Sequence, residues 1–456
     1  MKVNMTEFTH SLRSLEFQPA RAGVLTSLKW MQGLGLLLVG YAVFGKGFAY
    51  VGYSPAYVGE IVLLWGLVVL ALSGRFVELL DARITWLLLA FCGWGVARTF
   101  PYISTDGADA LRDAVIWGYC AFAAIVTALL LAQPDLLGRM IRSYDRATRF
   151  ILIATPVVTV LFRALYSQRP TWPGTDIAIL QQKEGDVLVH MAGIIAFWMA
   201  GLAGRVSWKW VILLAINVGI MGALDRAGML AVVVVIGLCA LARPRSTIPW
   251  RLALIAGLVV LSLWLSNLRI EIPGGKGREV SFDQFVTNVK SYASDTGDDG
   301  IDSTKEWRLD WWSEIVSYTI HGRYFWTGKG FGVNLADDDG FQVLSDGTLR
   351  APHNIHMDVL ARMGVPGLFL WAAVLLSIGG WGVHSFFHAS HRCRKTWASL
   401  FLFLLAYWIA CIINASFDVF IEGPMGGIWF WSLCGFLIGS CWLYQKCPDL
   451  LRESAT

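Results

Sequence analysis

The chain has 456 residues, 56% of them hydrophobic and 15% charged, with a formal net charge of +4. A mean hydropathy of +0.55 is far above what a soluble domain of this length carries while keeping a wettable surface, so lipid must be part of its solvent. The small positive charge follows the placement of Lys and Arg around apolar segments, and nothing in the sequence indicates nucleic-acid binding.

Apolar runs recur along the chain, first at Val24 to Phe44, Ala56 to Leu72, Ile84 to Phe100, Ala114 to Leu131, Phe150 to Leu165 and Val187 to Ala203. They continue at Trp208 to Leu224, Met229 to Ala242, Leu252 to Leu265, Val365 to Ile378, Trp397 to Ile413 and Ile428 to Trp442. With their flanks most approach the roughly 20 residues that cross about 30 Å of hydrocarbon. Backbone polar groups in lipid must be satisfied within the segment, so these runs predict helices and an all-α integral membrane protein of about twelve spans. Val211 to Ala242 as one helix would measure roughly 48 Å, too long for one crossing. A tight reversal is therefore expected at Leu224-Asp225-Arg226-Ala227-Gly228.

Cytoplasmic segments collect positive charge, which sets the orientation. With the amino terminus inside, inner segments hold Lys2, Arg13, Arg21 and Lys29, then Arg75 and Arg83, then Arg139, Arg142, Arg146 and Arg149. Further along come Arg205 and Lys209, then Arg243, Arg245 and Arg251, then Arg392, Arg394 and Lys395, and last Lys446 and Arg452. The short outer segments hold only Lys46, Arg98, Arg112, Arg163, Arg169, Lys183 and Arg226. Both termini are expected in the cytoplasm. The chain divides into helices one to nine over 1–266, an outer loop over 267–352, and helices ten to twelve over 353–456. The polar first twenty or so residues lack the apolar core of a cleavable signal, so the first span reads as an uncleaved anchor. No cysteine lies in the long loop, which suggests neither a disulfide framework nor a Cys-rich metal site there.

Within the loop, Glu271 to Gly277 reads as a turn and Ser294 to Asp302 as an acidic connector. Ser281 to Tyr292 and Lys305 to Ile320 have the apolar spacing of helices. In the second, Trp307, Trp311, Trp312 and Ile315 fall near one another, either as a stripe at headgroup level or as packing. The glycines of Thr327-Gly328-Lys329-Gly330-Phe331-Gly332 permit tight turning and close approach, a weak phosphate-binding signal without a strand-loop-helix setting. Asp337, Asp338 and Asp339 read more readily as a solvated turn than as a cation site. Pro352 presets a helix start, which puts His353 and Asn354 where the chain re-enters the membrane from outside. His353, His356 and Asp358 lack the spacing of a known zinc motif, and no metal is expected.

Pro352-His353-Asn354, followed by an amphipathic turn and Gly364-Val365-Pro366-Gly367, resembles the carboxy-terminal signature of the O-antigen ligase and polymerase superfamily. Leu224 to Gly228 resembles that family's short outer hairpin with an arginine, although Asp225 stands where a small polar residue is expected. Trp307-Arg308-Leu309-Asp310-Trp311 resembles its loop helix with a second arginine, and Gly328 to Gly332 the Gly-x-Gly segment after it. Phe417 to Pro424, with Glu422, resembles its acid-proline step, and the whole resemblance covers roughly Arg205 to Trp431.

The resemblance implies a GT-C-like fold in a bacterial inner membrane. It also implies transfer of a glycan from undecaprenyl diphosphate to an acceptor hydroxyl at the periplasmic face, with inversion at the anomeric carbon. The residues suit that chemistry in their own right. Arg226 and Arg308 can hold a departing diphosphate, since a guanidinium pairs two phosphate oxygens and stays ionised. The bland alternatives are a snorkelling Arg226 paired with Asp225, and an Arg308 paired with Asp310 or Glu306. His353 is the candidate general base, because an imidazole with an ordinary pKa of about 6.5 suits removal of a hydroxyl proton. Its alternative is helix capping. Asn354 orients the sugar or the histidine, or is an N-cap.

Three readings follow: a ligase joining glycan to lipid A-core, a polymerase extending a carrier-linked glycan, or a transporter without chemistry. A single large loop favours the ligase. Marked charges at the outer face rather than at mid-membrane disfavour the transporter. No cofactor is expected, and the partners are the carrier-linked glycan, lipid A-core and membrane lipids.

Overall fold

The computed structural model describes residues 21–451, apart from 54–55, 75, 166–167, 176, 244–245, 267–269, 272–278 and 281–298. The charges Lys2, Arg13, Arg75, Arg245 and Arg452, the loop helix expected at Ser281 to Tyr292 and most of the turn at Glu271 to Gly277 lie outside the described residues.

The apolar runs fold as helices: α1 Arg21–Phe44, α2 Val58–Ser73, α3 Arg83–Thr99, α4 Cys120–Ala132, α5 Asp135–Ala164, α6 Glu184–Met199 and α7 Trp208–Gly222. They continue as α8 Arg226–Ala242, α9 Ile248–Ser266, the loop helix α10 Asp299–Thr319, α11 Ile355–His391, α12 Lys395–Ala415 and α13 Pro424–Lys446. Short helical turns and two antiparallel two-residue strand pairs fill the connections. Among the described residues, seven helices are long and apolar enough to cross a membrane. They are Thr26–Phe44, Arg83–Asp106, Val115–Ala132, Asp135–Ala164, Ile355–His391, Lys395–Ala415 and Pro424–Lys446. Four shorter apolar helices are Val58–Ser73, Trp208–Gly222, Arg226–Ala242 and Ile248–Leu258.

Burial ranks the helices by position. Every residue of α6 is buried except Glu184, and α13 is buried along almost its whole length. By contrast α2 exposes Ile61, Leu64, Val68 and Leu72, a surface that only lipid can cover without cost. The centre is closely packed: a methyl added at Gly193 would come within 2.5 Å of the Tyr407 ring, and one at Gly435 within 2.7 Å of the Ala123 carbonyl oxygen.

Two expectations change, and the choice left open for the tryptophan stripe is decided at Trp311. The helix of the Phe150 run begins at Asp135, so Arg139, Arg142, Arg146 and Arg149 lie on α5 and not in a loop; Arg149 pairs with Asp145 at 3.1 Å one turn away. Asp299 to Asp302 is the first turn of α10 and not connector. Trp311 is fully buried rather than at headgroup level, donating Nε1–H to Asp339 at 2.7 Å and stacking on Phe341 at 5.6 Å. With Ile315, Leu335, Leu349 and Leu360 it forms a small core of its own, so α10 packs on the start of α11.

The reversal between α7 and α8 follows from capping. Asp225 sits at the N-cap of α8 and accepts the Gly228 N–H at 2.6 Å, which stops one helix and starts the next. An aspartate at this position therefore has a local cause. Helix α11 breaks at Gly364, whose φ of +67° and ψ of −172° leave helical space. A Cβ there would meet the Phe325 carbonyl oxygen at 2.6 Å, so the break needs glycine.

Candidate active site

One end of the bundle gathers the starts of α6, α8, α11 and α13 and the end of α12. A methyl on Gly185 of α6 would touch Asn414 of α12 at 2.9 Å and Asp225 at 3.1 Å. His356 of α11 meets Ser416, just past α12, at 3.1 Å. At the opposite end Arg243, past α8, donates to Ser399 of α12 at 2.8 Å, which fixes the antiparallel course of that pair.

His353 occupies this mouth with a φ of +53°, a conformation uncommon outside glycine and sustained only where its surroundings determine it. Next to it, Asn354 is the N-cap of α11, its Oδ1 accepting the His356 N–H at 2.9 Å and the Met357 N–H at 3.3 Å. That oxygen therefore caps the helix. The His353 Nδ1 lies 3.1 Å from Asp418 Oδ1, and its side chain is 25% exposed.

Asp418 is the hub. Its Oδ2 pairs with Lys183 Nζ at 2.8 Å, and its Oδ1 also accepts the Val419 N–H at 2.8 Å. Lys183 in turn donates to the Val419 carbonyl at 2.6 Å. Burial pushes the Asp418 carboxyl up, but the Lys183 charge and the His353 contact outweigh it and hold the group well below the usual carboxylate range. An ionised carboxylate can only accept, so in the neutral imidazole it is Nδ1 of His353 that carries the proton and Nε2 that is left to accept.

The loop helix brings in the next groups. The Trp307 ring lies 6.2 Å from the His353 ring. Arg308 feels Asp418, Arg226 and Asp225 as electrostatic neighbours. Burial loosens the hold of Arg308 on its proton and the like charge of Arg226 loosens it further, against the pull of Asp418 and Asp225. The Arg308 Nε and the Trp307 Nε1 are buried without a hydrogen-bond partner among the described residues. Two guanidinium groups within electrostatic reach of one another repel, an arrangement that an anion between them would relieve.

Around this centre lies a layer of acids. Burial and the nearby Asp418 raise the Asp225 carboxyl, while the Gly228 N–H and Lys183 pull it down. Glu422 is pushed up to about 8, first by burial and then by the Asp358 charge. Its Oε2 accepts the Phe420 N–H at 2.9 Å.

Behind the mouth, Arg362 is fully buried and bonds Asp358 at 2.9 Å, Asp113 at 3.0 Å and the Val333 carbonyl at 3.1 Å. Arg350 bonds the same Asp113 carboxylate at 2.9 Å. The glycine-rich stretch docks on this network: Lys329 N–H donates to the Ala361 carbonyl at 2.7 Å and Gly330 N–H to the Arg362 carbonyl at 3.1 Å. Its glycines thus serve close packing. Gly330 would place a Cβ 2.1 Å from the Tyr102 ring. Asp338 and Asp339 hold Lys329, while Asp337 accepts from Asn334 and Gln342. His356 is taken up by Ser416 and by Trp371, whose Nε1–H lies 3.1 Å away, so it does not join His353. Among the described residues no cluster of His, Cys, Asp and Glu could hold a metal ion.

Of the residues the sequence singles out, Arg226, Arg308 and His353 come to the same end of the bundle, Arg308 within electrostatic reach of Arg226 and of the Asp418 that holds His353, and Asn354 adjoins them as a cap. Lys183 and Asp418 went unrecognised as site residues. Asp418 lies inside the stretch noted for Glu422, and Lys183 showed only as an outer-segment charge.

These features define a multi-pass helical membrane protein with a cationic, histidine-bearing site at one end of its bundle. Residues 210–372 match the family model described as O-antigen ligase, so over that stretch the chain is similar to members of that family. The match includes Arg226, Arg308 and His353 and ends before Asp418. No curated protein matches the chain significantly.

Proposed function

We propose that the chain is a glycosyltransferase that moves a glycan from undecaprenyl diphosphate to an acceptor hydroxyl at the periplasmic face of a bacterial inner membrane. The observation that carries this reading is the placing of two mutually repelling arginines beside a histidine whose Nδ1 is held by a carboxylate. Nε2 of His353 takes the hydroxyl proton as the acceptor oxygen bonds to the anomeric carbon. The bond from that carbon to the diphosphate oxygen breaks with its electron pair, and the released anion is held by Arg226 and Arg308. Attack opposite the leaving group inverts the anomeric centre. The two guanidinium groups supply the positive charge the leaving group needs, so the reaction is assigned no metal.

The seven long helices, the four shorter apolar ones and α6 together make the twelve crossings of this reading. On this reading helices one to nine run over 1–266, a periplasmic loop over 267–352 and helices ten to twelve over 353–456, with both termini cytoplasmic. The acceptor assigned is lipid A-core, which makes the chain a ligase, because the sequence pattern has one large loop beside about twelve spans. Polymerase action on a second carrier-linked glycan is the alternative within the same superfamily.

The test is reconstitution with a lipid-linked glycan and two acceptors, lipid A-core and a second lipid-linked glycan. Product on lipid A-core alone marks a ligase, and longer carrier-linked chains mark a polymerase. Transbilayer movement without a new glycosidic bond refutes the enzyme. His353→Ala is expected to insert normally and lose nearly all transfer.

A further inference from the structure

A cavity of about 750 Å³ lies at the other end of the bundle from His353, between the end of α11, the start of α12 and the end of α13. Its walls carry His384, His388, Arg392, Arg394 and Tyr444. The volume falls within the roughly 300–1,000 Å³ of small-molecule sites. Positive charge is expected on such a face whatever its use, so charge alone assigns nothing. The construction of the site adds more.

Aromatic rings back the Tyr444 wall of the cavity. Trp397 is fully buried, donates Nε1–H to the Pro448 carbonyl at 2.8 Å and packs on Tyr444 at 5.3 Å, while Phe401 meets Tyr444 at 5.6 Å. The Tyr444 hydroxyl is 2.9 Å from His388 Nδ1, and the His384 and His388 rings stack at 6.2 Å. The turn from α11 to α12 passes through Cys393 with a φ of +56° and carries Arg392 and Arg394 on either side. Both guanidinium groups act electrostatically on Tyr444. One carboxylate tempers this charge: Asp449 pairs with Arg394 at 2.8 Å, with 80% of its own side chain exposed. Along 391–396 and 445–451 the charged residues are Arg392, Arg394, Lys395, Lys446 and that single Asp449.

A cavity walled by guanidinium and imidazole donors calls for an anion rich in acceptor oxygens. One turn deeper, α11 exposes Val383 and Phe387, 44% and 54% accessible, beside His384 and His388. An ion with apolar chains attached would satisfy both surfaces. We propose that this cavity binds the phosphate of an anionic phospholipid headgroup, with the acyl chains lying along Val383 and Phe387. Arg392 and Arg394 hold the phosphate oxygens. Lipid binding here is independent of the glycan chemistry at the opposite face.

The full-length protein is tested by native mass spectrometry after release from nanodiscs of mixed phosphatidylglycerol and phosphatidylcholine. The wild type is expected to retain phosphatidylglycerol preferentially. Arg392→Gln with Arg394→Gln is expected to lower that preference about thirtyfold, the effect of two arginine charges near an anionic headgroup. Equal retention by wild type and variant overturns the site. A second measurement needs no variant: phosphatidylglycerol should raise the thermal midpoint of the wild type above that in phosphatidylcholine, and inorganic phosphate should not. If inorganic phosphate alone gives the same rise and displaces the lipid, the site is one for free anions and the lipid assignment fails.

Discussion

Replacing Lys183 by methionine keeps most of the apolar stem and removes the ammonium that faces Asp418 at 2.8 Å. Asp418 would retain the His353 Nδ1 contact at 3.1 Å and the Val419 N–H at 2.8 Å, but its charge would be uncompensated. Losing one partner of a fully enclosed ion pair costs roughly 3–5 kcal/mol. Because 31% of the Lys183 side chain is exposed, the expected cost is lower, about 1–2 kcal/mol. The effect on catalysis has a separate signature. A carboxylate without its lysine favours the protonated imidazole beside it, so the acid limb of the pH–rate profile should move to higher pH. Other titratable groups around Asp418 and Lys183, namely Asp186, Asp225, Arg308 and Glu422, remain in place in the variant. Asp418→Asn should instead lower transfer about 10²–10³-fold at every pH, because Nδ1 loses the acceptor that sets its tautomer. The double variant removes both charges together, so its stability loss should be smaller than the sum of the single losses while its rate stays low. The assays are denaturation in a fixed detergent and transfer rates from about pH 5 to 9. An unmoved pH profile for Lys183→Met, or strictly additive stability losses, would refute the reasoning.

Arg226→Lys and Arg308→Lys should each reduce kcat/KM for the lipid-linked donor by about 10–100-fold, measured in proteoliposomes, because an ammonium cannot pair two phosphate oxygens in the plane of a guanidinium. Glu422 titrates near 8 in the fold but near the ordinary carboxylate value when unfolded, so it costs stability as pH rises from about 4.5 through 8. Glu422→Gln should therefore flatten the stability profile over that interval in denaturation experiments and keep transfer at neutral pH. The lowered Asp418 works the other way, adding stability above about pH 4 that is lost on further acidification; Asp418→Asn should weaken that acid dependence. Gly328→Ala should destabilise by about 2 kcal/mol or more in thermal denaturation, since at a φ of +60° its Cβ would lie 2.4 Å from the Arg362 carbonyl carbon.

Much of the frame is legible in the sequence because its signals are local. Hydropathy marks the helices; the Asp225 and Gly228 pair marks the α7 to α8 reversal; Pro352 and Asn354 mark the start of α11, and Gly364 its break. The Trp307–Trp311 spacing announces α10, but periodicity cannot tell whether an apolar stripe meets lipid or protein. That choice rests on Asp339, which accepts the Trp311 indole from 28 residues away. The Arg139 to Arg149 stretch resembles a charged loop because its helix has one wet face, which hydropathy averaging dilutes. Lys183 and Asp418 stayed hidden for a different reason: their pairing is made by the packing of α6 against α12, and neither residue carries a motif. The buried Arg362 is likewise explained only by Asp113, which the fold brings from far upstream.

The central claim is that Arg226 and Arg308 jointly hold the diphosphate while His353 faces the acceptor. A structure of the protein with a non-hydrolysable undecaprenyl diphosphate analogue tests it most directly. The account places pyrophosphate oxygens within about 3 Å of both guanidinium groups, with His353 Nε2 open toward the anomeric carbon. A diphosphate bound away from either arginine, or on the far side of the bundle from His353, would contradict it.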